Sequence, residues 1–357
     1  MNKKVFIYSL CATMVLPFIS SCSDEDDPVE DPVVASEYVY VLNSGNMGSN
    51  DASLSMYNLQ DGTVTKGVFE ARNGRRLGDT GQDIIAYGSK IYISMTGEST
   101  IEVTDLDAKS IEQIQTDGQP RYLASYNGKV YVTLMNGYVA RLDTASLTVE
   151  TKIRVGRNPE RLTVANRKLY VANSGGQDWS TGNYDNTVSV IDMTSFTETK
   201  KIEVALNPTE VESDDAGNVY VISKGNYNNV LNTLQKIDVS TDGVTVLNNI
   251  NGTIFTSSGD IIYSVHSQWG APQIYYYSLE TSTGRVLSDN FIGSTNISDP
   301  YQINYDRNFE HLFITASDYQ NEGDVYIFDK SCLFVNKFEA GLNPMKAVWV
   351  QKYSVDQ

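Results

Sequence analysis

The chain repeats one pattern seven times, and the fourth copy is the clearest. Asn158-Pro159-Glu160-Arg161-Leu162 leads to Leu169-Tyr170-Val171-Ala172-Asn173 and then to Thr187-Val188-Ser189-Val190-Ile191-Asp192. Repetition at roughly 40–50 residues marks solenoids and propellers, in which one supersecondary unit is stacked or arrayed. An apolar-aromatic anchor recurs at Tyr40, Tyr92, Tyr131, Tyr170, Tyr220, Tyr263 and, as phenylalanine, at Phe313. Turns precede most anchors at Gly81-Gln82, Gln119-Pro120, Asn158-Pro159, Asn207-Pro208, Asn251-Gly252 and Asp299-Pro300. After each anchor a further strand closes on Asp105, Asp143, Asp192, Asp238 or Asp329, with looser versions at Asn58 and Ser278. Val, Ile and Tyr dominate the anchors, which suits pleated, half-buried strands. Because no long segment has helical apolar spacing, helical solenoids are excluded. The pattern predicts an all-β, seven-bladed β-propeller of four-stranded antiparallel blades.

The two ends of the repeat fit together. A last turn, Asn343-Pro344, is followed by Lys346-Ala347-Val348-Trp349-Val350, which reads as the first strand of a unit. The anchor missing from that unit is Tyr38-Val39-Tyr40-Val41, at the other end of the chain. The N- and C-terminal strands should therefore share one blade and close the ring, leaving no open edge for another chain. Trp349 and most tyrosines belong to strand faces and are expected in the core.

The N-terminus sets an expected location. Lys3-Lys4 is a positive n-region, Val5 to Ile19 is apolar but short for a bilayer span, and Ile19-Ser20-Ser21 precedes Cys22. This resembles a bacterial lipoprotein signal occupying residues 1–21, with lipid carried on Cys22 and Ile19 a relaxed version of the usual leucine. Residues 22–36, with Ser23-Asp24-Glu25-Asp26-Asp27 and two prolines, read as an acidic disordered tether, and 37–357 as the propeller. An acidic run directly behind the cysteine resembles the surface-export signal of Bacteroidetes lipoproteins. That places the domain on the outer membrane facing the cell exterior; an acidic linker facing the periplasm is the alternative.

Of the chain's 27 Lys and Arg, Lys3 and Lys4 leave with the signal, and six of its 44 Asp and Glu lie in the tether, so the propeller carries 25 against 38. Such a surface repels phosphate backbones and argues against nucleic-acid binding. Cys11 leaves with the signal and Cys22 is acylated, so Cys332 has no partner and is expected to be a buried small hydrophobe.

In a four-stranded antiparallel blade, the turn into the first strand and the loop between the second and third emerge on one face. That face collects the longest loop, Asn173 to Thr187, and those at Ser223 to Thr233, His266 to Gln273 and Ser317 to Asp324. Long aromatic loops on a rigid scaffold are where binding concentrates. The candidate ligand-binding residues are Trp179, Tyr184, Tyr227, His266, Trp269, Tyr301 and Tyr319, with Arg121, Arg161 and Asn183 among the surrounding cations and amides. Aromatics give flat contact area and amides both donate and accept, so the profile suits a large, mostly neutral, amphipathic ligand.

Catalysis is less supported. His311 precedes an anchor strand on the opposite face, and His266 alone makes neither a triad nor a metal site. The aspartates that end the strands are read as turn caps. The sequence shows no Cys/His cluster, phosphate loop or nucleophile elbow; neither a metal, a cofactor nor a catalytic group is expected.

The units Leu169-Tyr170-Val171-Ala172-Asn173 and Ile202-Glu203-Val204-Ala205-Leu206-Asn207-Pro208 resemble the YVTN repeat of YncE-like and surface-layer-type seven-bladed propellers, over about residues 37–357. Tyr40-Val41-Leu42-Asn43-Ser44-Gly45-Asn46 and Leu77-Gly78-Asp79-Thr80-Gly81-Gln82-Asp83-Ile84 are similar to Bacteroidetes surface propellers, among them the cobalamin-binding lipoproteins that cap the vitamin B12 receptor. That resemblance implies capture of cobalamin (as ligand, not cofactor) on the loop-rich face and delivery to a TonB-dependent outer-membrane transporter. A lactonase- or lyase-like enzyme and a glycan- or protein-binding propeller are the alternatives.

Overall fold

The computed structural model describes residues 34–176, 180–248, 250–267 and 273–353. The described residues form seven antiparallel sheets of four strands each, the seven-bladed propeller that the repeat predicts. Blade 1 joins the last strand, Pro344–Tyr353, to Val34–Asn43, Ser53–Asn58 and Val64–Thr65. The inner strands of blades 2 to 7 are Gly81–Tyr87, Pro120–Tyr126, Pro159–Ala165, Pro208–Ser213, Ile254–Ser257 and Pro300–Asp306. Proline lacks a donor for the ladder and is tolerated as the first residue of a strand. The residue before it holds a left-handed backbone at Asn158 (φ 44°), Asn207 (φ 63°), Asp299 (φ 51°) and Asn343 (φ 54°). Asn and Asp are the side chains that adopt this conformation most readily, which is why the turns were legible as Asn-Pro and Asp-Pro.

Each anchor sits in a blade core. Tyr40, Tyr92, Tyr131, Tyr170, Tyr220, Tyr263 and Phe313 are all 2% exposed or less, and burying such a side chain contributes about 1.5–3 kcal/mol. The buried Tyr40 hydroxyl donates to the carbonyl of Leu106 at 3.1 Å, and burial pushes the phenols of Tyr92 and Tyr170 up to about 12. The aspartates behave as turn caps. Asp143 Oδ1 accepts from the amides of Ala145 (3.0 Å) and Ser146 (2.6 Å), and Asp329 Oδ1 from those of Ser331 (2.8 Å) and Leu333 (2.9 Å). Ser278 is not such an end: its strand runs Tyr275–Glu280, and Glu280 occupies the capping position.

Closure is by paired termini. Tyr38 faces Val350, Val39 faces Trp349, Tyr40 faces Val348 and Val41 faces Ala347. The first strand takes in Val34 to Ser36, which the sequence reading left in the tether. It runs from Val34 toward Asn43, which opens a loop of the loop-rich face. Val34 and its partner Tyr353 therefore lie at the opposite face. Trp349 is half-buried rather than in the core, stacked on Phe309 with ring centroids 5.7 Å apart. Cys332 is also only half-buried, packed at the margin of the blade 6–7 core. A six-residue helix, Val68–Asn73, links blades 1 and 2 and buries Val68 and Phe69; it is too short to show a helical period.

Candidate functional site

Inner strands begin at the loop-rich face, so the residues just after each proline stand at the mouth of the central channel. Arg121 reaches Glu160 (Nη2 to Oε2, 2.6 Å) and Gln82 Oε1 (3.0 Å). Arg161 pairs through Nε with Glu210 and donates from Nη2 to Gln302 Oε1 at 3.0 Å, joining blade 4 to blade 7. Both guanidiniums lie over the buried Tyr122 ring, at 5.5 and 4.5 Å from its centroid. Burial opposes the charge of Arg161, yet Glu210, Tyr122 and Asp83 together hold it above the usual guanidinium range. The two candidate arginines thus form a layer of paired charges across the channel mouth.

Beneath this layer is a cavity of about 370 Å³ that touches Asp83, Tyr122, Arg161, Glu212, Arg307 and Lys346. Lys346 Nζ lies 2.9 Å from Asp83 Oδ1, and Asp83 Oδ2 accepts from the amide of Leu123 at 2.8 Å. Glu212 accepts from Thr256 Oγ1 (3.1 Å) and the amide of Ser257 (2.7 Å), and burial raises its carboxyl above the usual range. At the far end Arg307 pairs with Asp215 at 2.8 Å. These partners went unread in the sequence. The signal was available: Glu210 and Glu212 flank Val211 at period-two spacing in Pro208–Ser213, which puts both on the strand face opposite that buried valine.

Tyrosines surround the mouth. Tyr301 and Tyr319 meet edge to face with centroids 5.4 Å apart, and Tyr184 and Tyr227 do so at 6.1 Å. Tyr227 is 69% and Tyr319 61% exposed, whereas Tyr184 is folded inward at 8%. Both exposed tyrosines have a left-handed backbone, φ 56° for Tyr227 and 63° for Tyr319, a region that bulky side chains enter only under constraint. The loops supply it. Asn226 Oδ1 accepts from the amides of Asn228 (3.1 Å) and Val230 (2.8 Å). Ser317 Oγ accepts from the amide of Tyr319 (3.0 Å), and Asp318 Oδ1 from those of Gln320 (2.9 Å) and Asn321 (2.7 Å).

The other candidates are more scattered. Asn183 is exposed, its carbonyl accepting from Arg157 Nη2 at 2.6 Å. His266 is half-buried beside Tyr275, with ring centroids 6.3 Å apart, and burial lowers its pKa. Trp179, Trp269 and Cys22 lie outside the described residues. His311 is at the opposite face, its Nδ1 2.6 Å from the carbonyl of Phe309 and its ring stacked on that of Phe309 at 3.8 Å.

A second cavity, of about 470 Å³, opens on the loop-rich face between blades 5 and 6. Tyr227, Val230 and Leu231 line it, the last 70% exposed, together with Lys224, Asn228 and Asn232. Sequence reading singled out Tyr227 but not Leu231 or Val230, because a lone aliphatic in a loop carries no pattern. Flat aromatic area, amides and a fixed polar floor are means of binding an amphipathic molecule.

The fold and this face define a β-propeller with its long loops gathered on one face. Residues 37–331 match the family described as Domain of unknown function (DUF5074), and the chain belongs to that family. Among curated proteins none matches. Among solved structures, the chain is similar to a putative 6-phosphogluconolactonase from Bacteroides fragilis, with TM-score 0.62 and 11% identity over 88% of this chain and 98% of that one. It is also similar to Kuenenia stuttgartiensis hydrazine synthase (TM-score 0.57, 18% identity, 72% of this chain and 85% of that one). The WD40 domain of Pan2 from Neurospora crassa matches with TM-score 0.53 and 11% identity, covering 75% and 80%. At these identities the likeness is one of fold.

Proposed function

We propose that the loop-rich face binds, without catalysis, a broad amphipathic small molecule, with cobalamin the foremost candidate. The protein would be lipid-anchored through Cys22 on the outer surface of the outer membrane and pass its ligand to a TonB-dependent transporter. The observation that carries the binding reading is the pair Tyr227 and Tyr319: large aromatic rings turned to solvent on left-handed backbones. Left-handed backbone also occurs at turns such as Leu147 and Phe196; what sets Tyr227 and Tyr319 apart is that loop hydrogen bonds hold exposed rings in place. Rigid presentation reduces the ordering cost of binding. Cobalamin is broad, edged with amides and carries one phosphate, which suits tyrosines flanked by amides and scattered cations.

The test is titration with cobalamin by calorimetry, using wild type, Tyr227→Ala, Tyr319→Ala and, as a control on the opposite face, His311→Ala. Each tyrosine variant should lose about thirtyfold in affinity, corresponding to about 2 kcal/mol, with its melting temperature nearly unchanged. Saturable lactone hydrolysis by wild type without cobalamin binding would replace this reading with an enzymatic one. Membrane fractionation of Cys22→Ala tests the anchor separately: the variant should no longer partition with membranes.

A further inference from the structure

We infer that the cavity between blades 5 and 6 is an anion-selective subsite, in which Lys224 holds a negatively charged substituent of the ligand while its apolar part lies on Tyr227 and Leu231. The inference rests on the binding role proposed for this face and adds a charge requirement to it. Around the channel mouth the cations are already engaged, Arg121 by Glu160 and Arg161 by Glu210. Lys224 differs: only its backbone amide is engaged, donating to the carbonyl of Asn207 at 2.8 Å. Its ammonium has no carboxylate or hydrogen-bond partner among the described residues, although Lys224 is half-buried and lines the cavity.

The same lining carries apolar side chains, with Leu231 and Tyr227 at 70% and 69% exposure and Val230 at 40%, all from the Ser223–Thr233 loop. A contiguous apolar surface of this kind is retained in contact with water chiefly where something binds. Asn232 Nδ2 donates to Asn251 Oδ1 (3.1 Å) and to the carbonyl of Gly252 (2.6 Å), fixing the base of the loop to blade 6. One unpaired cation sharing a cavity with apolar side chains selects a molecule with a carboxylate, sulfonate or phosphate close to a ring or alkyl surface. A charge-assisted bond at such a site is stronger than a neutral one, and no Asp or Glu is among the described residues lining the cavity, whose other polar side chains include Asn228, Asn232, Thr253 and Ser267.

Two fluorescent probes of similar shape test this, the anion 8-anilinonaphthalene-1-sulfonate and the neutral N-phenyl-1-naphthylamine. Titration of the full-length protein should give tighter binding of the anion, weakened by salt. Lys224→Gln should lower affinity for the anion about tenfold and abolish its salt dependence, leaving the neutral probe unaffected. Leu231→Ala should weaken both. If Lys224→Gln binds the sulfonate as wild type does, if both probes fall equally, or if neither binds wild type, the subsite is refuted. Cobalamin binding that depends on Tyr319 but is indifferent to Lys224 would keep the proposed function and remove only the subsite. Loss of cobalamin binding from the scheme with the probe pattern intact would do the reverse.

Discussion

Replacing Arg161 by methionine should unfold the protein at a markedly lower temperature, and the size of the effect follows from its surroundings. The side chains of Arg161 and Glu210 are only 13% and 5% exposed, so water screens little of their interaction. Arg161→Met removes the cation and strands the Glu210 carboxylate, a change that costs about 3–5 kcal/mol. Against a typical stability of about 5–15 kcal/mol, that is a large fraction, and the melting temperature should fall by roughly 5–15 °C. The informative comparison is Arg161→Met/Glu210→Met. Exchanging a whole buried pair for apolar side chains is often neutral or stabilising, so the double variant should recover most of the loss. Lys330→Ala, breaking the exposed pair with Glu310 (63% and 57% exposed), should leave the melting temperature nearly unchanged. Urea unfolding and thermal melts of all four proteins supply the numbers. An Arg161→Met protein that melts with wild type, or a double variant less stable than Arg161→Met, would refute the view of the mouth as a closed layer of mutually neutralised charges.

Two further outcomes concern the fold. Deleting Asn343 onward removes the nearly fully buried Met345, Ala347, Val348 and Val350 and unpairs one edge of Val34–Asn43; losing three large apolar side chains at about 1.5–3 kcal/mol each should leave an aggregating chain by size-exclusion chromatography, and a well-folded monomer would contradict closure by the termini. Burial raises the Glu212 carboxyl above its unfolded value, so between those two values the folded state binds the extra proton and stability falls as pH rises through that window. Glu212→Gln should therefore melt above wild type at pH 7–8, and the advantage should disappear near pH 4 in melts across that range.

The fold was legible because its determinants are local and repeated. Tyr40, Tyr92 and Tyr170 announce blade cores by spacing alone, and Asn158, Asn207 and Asn343 announce strand starts because few other side chains tolerate the backbone those turns need. The site was legible only as a face. Whether Tyr184 turns inward while Tyr227 turns out depends on how two loops from neighbouring blades pack, which no single segment encodes. Arg121 and Arg161 were recognisable as belonging to the mouth, but their partners Glu160, Glu210 and Gln302 come from other turns of the chain or other blades. The helix Val68–Asn73 was missed because six residues hold less than two turns of pattern.

Val34 and Tyr353 are paired neighbours at the face remote from the loops. Were Cys22 to carry lipid as proposed, an attachment entering at Val34 would hold the propeller by its loop-poor face, like a dish with its open side toward the medium. The twelve residues from Cys22 to Val33 reach at most about 40 Å when fully extended, a short mooring line. Under that proposal capture and delivery would be two orientations of one body: upright to receive a molecule from outside, and tipped over to release it downward. The mooring length would then set which is accessible, and lengthening it should speed release to a membrane acceptor without altering affinity in solution.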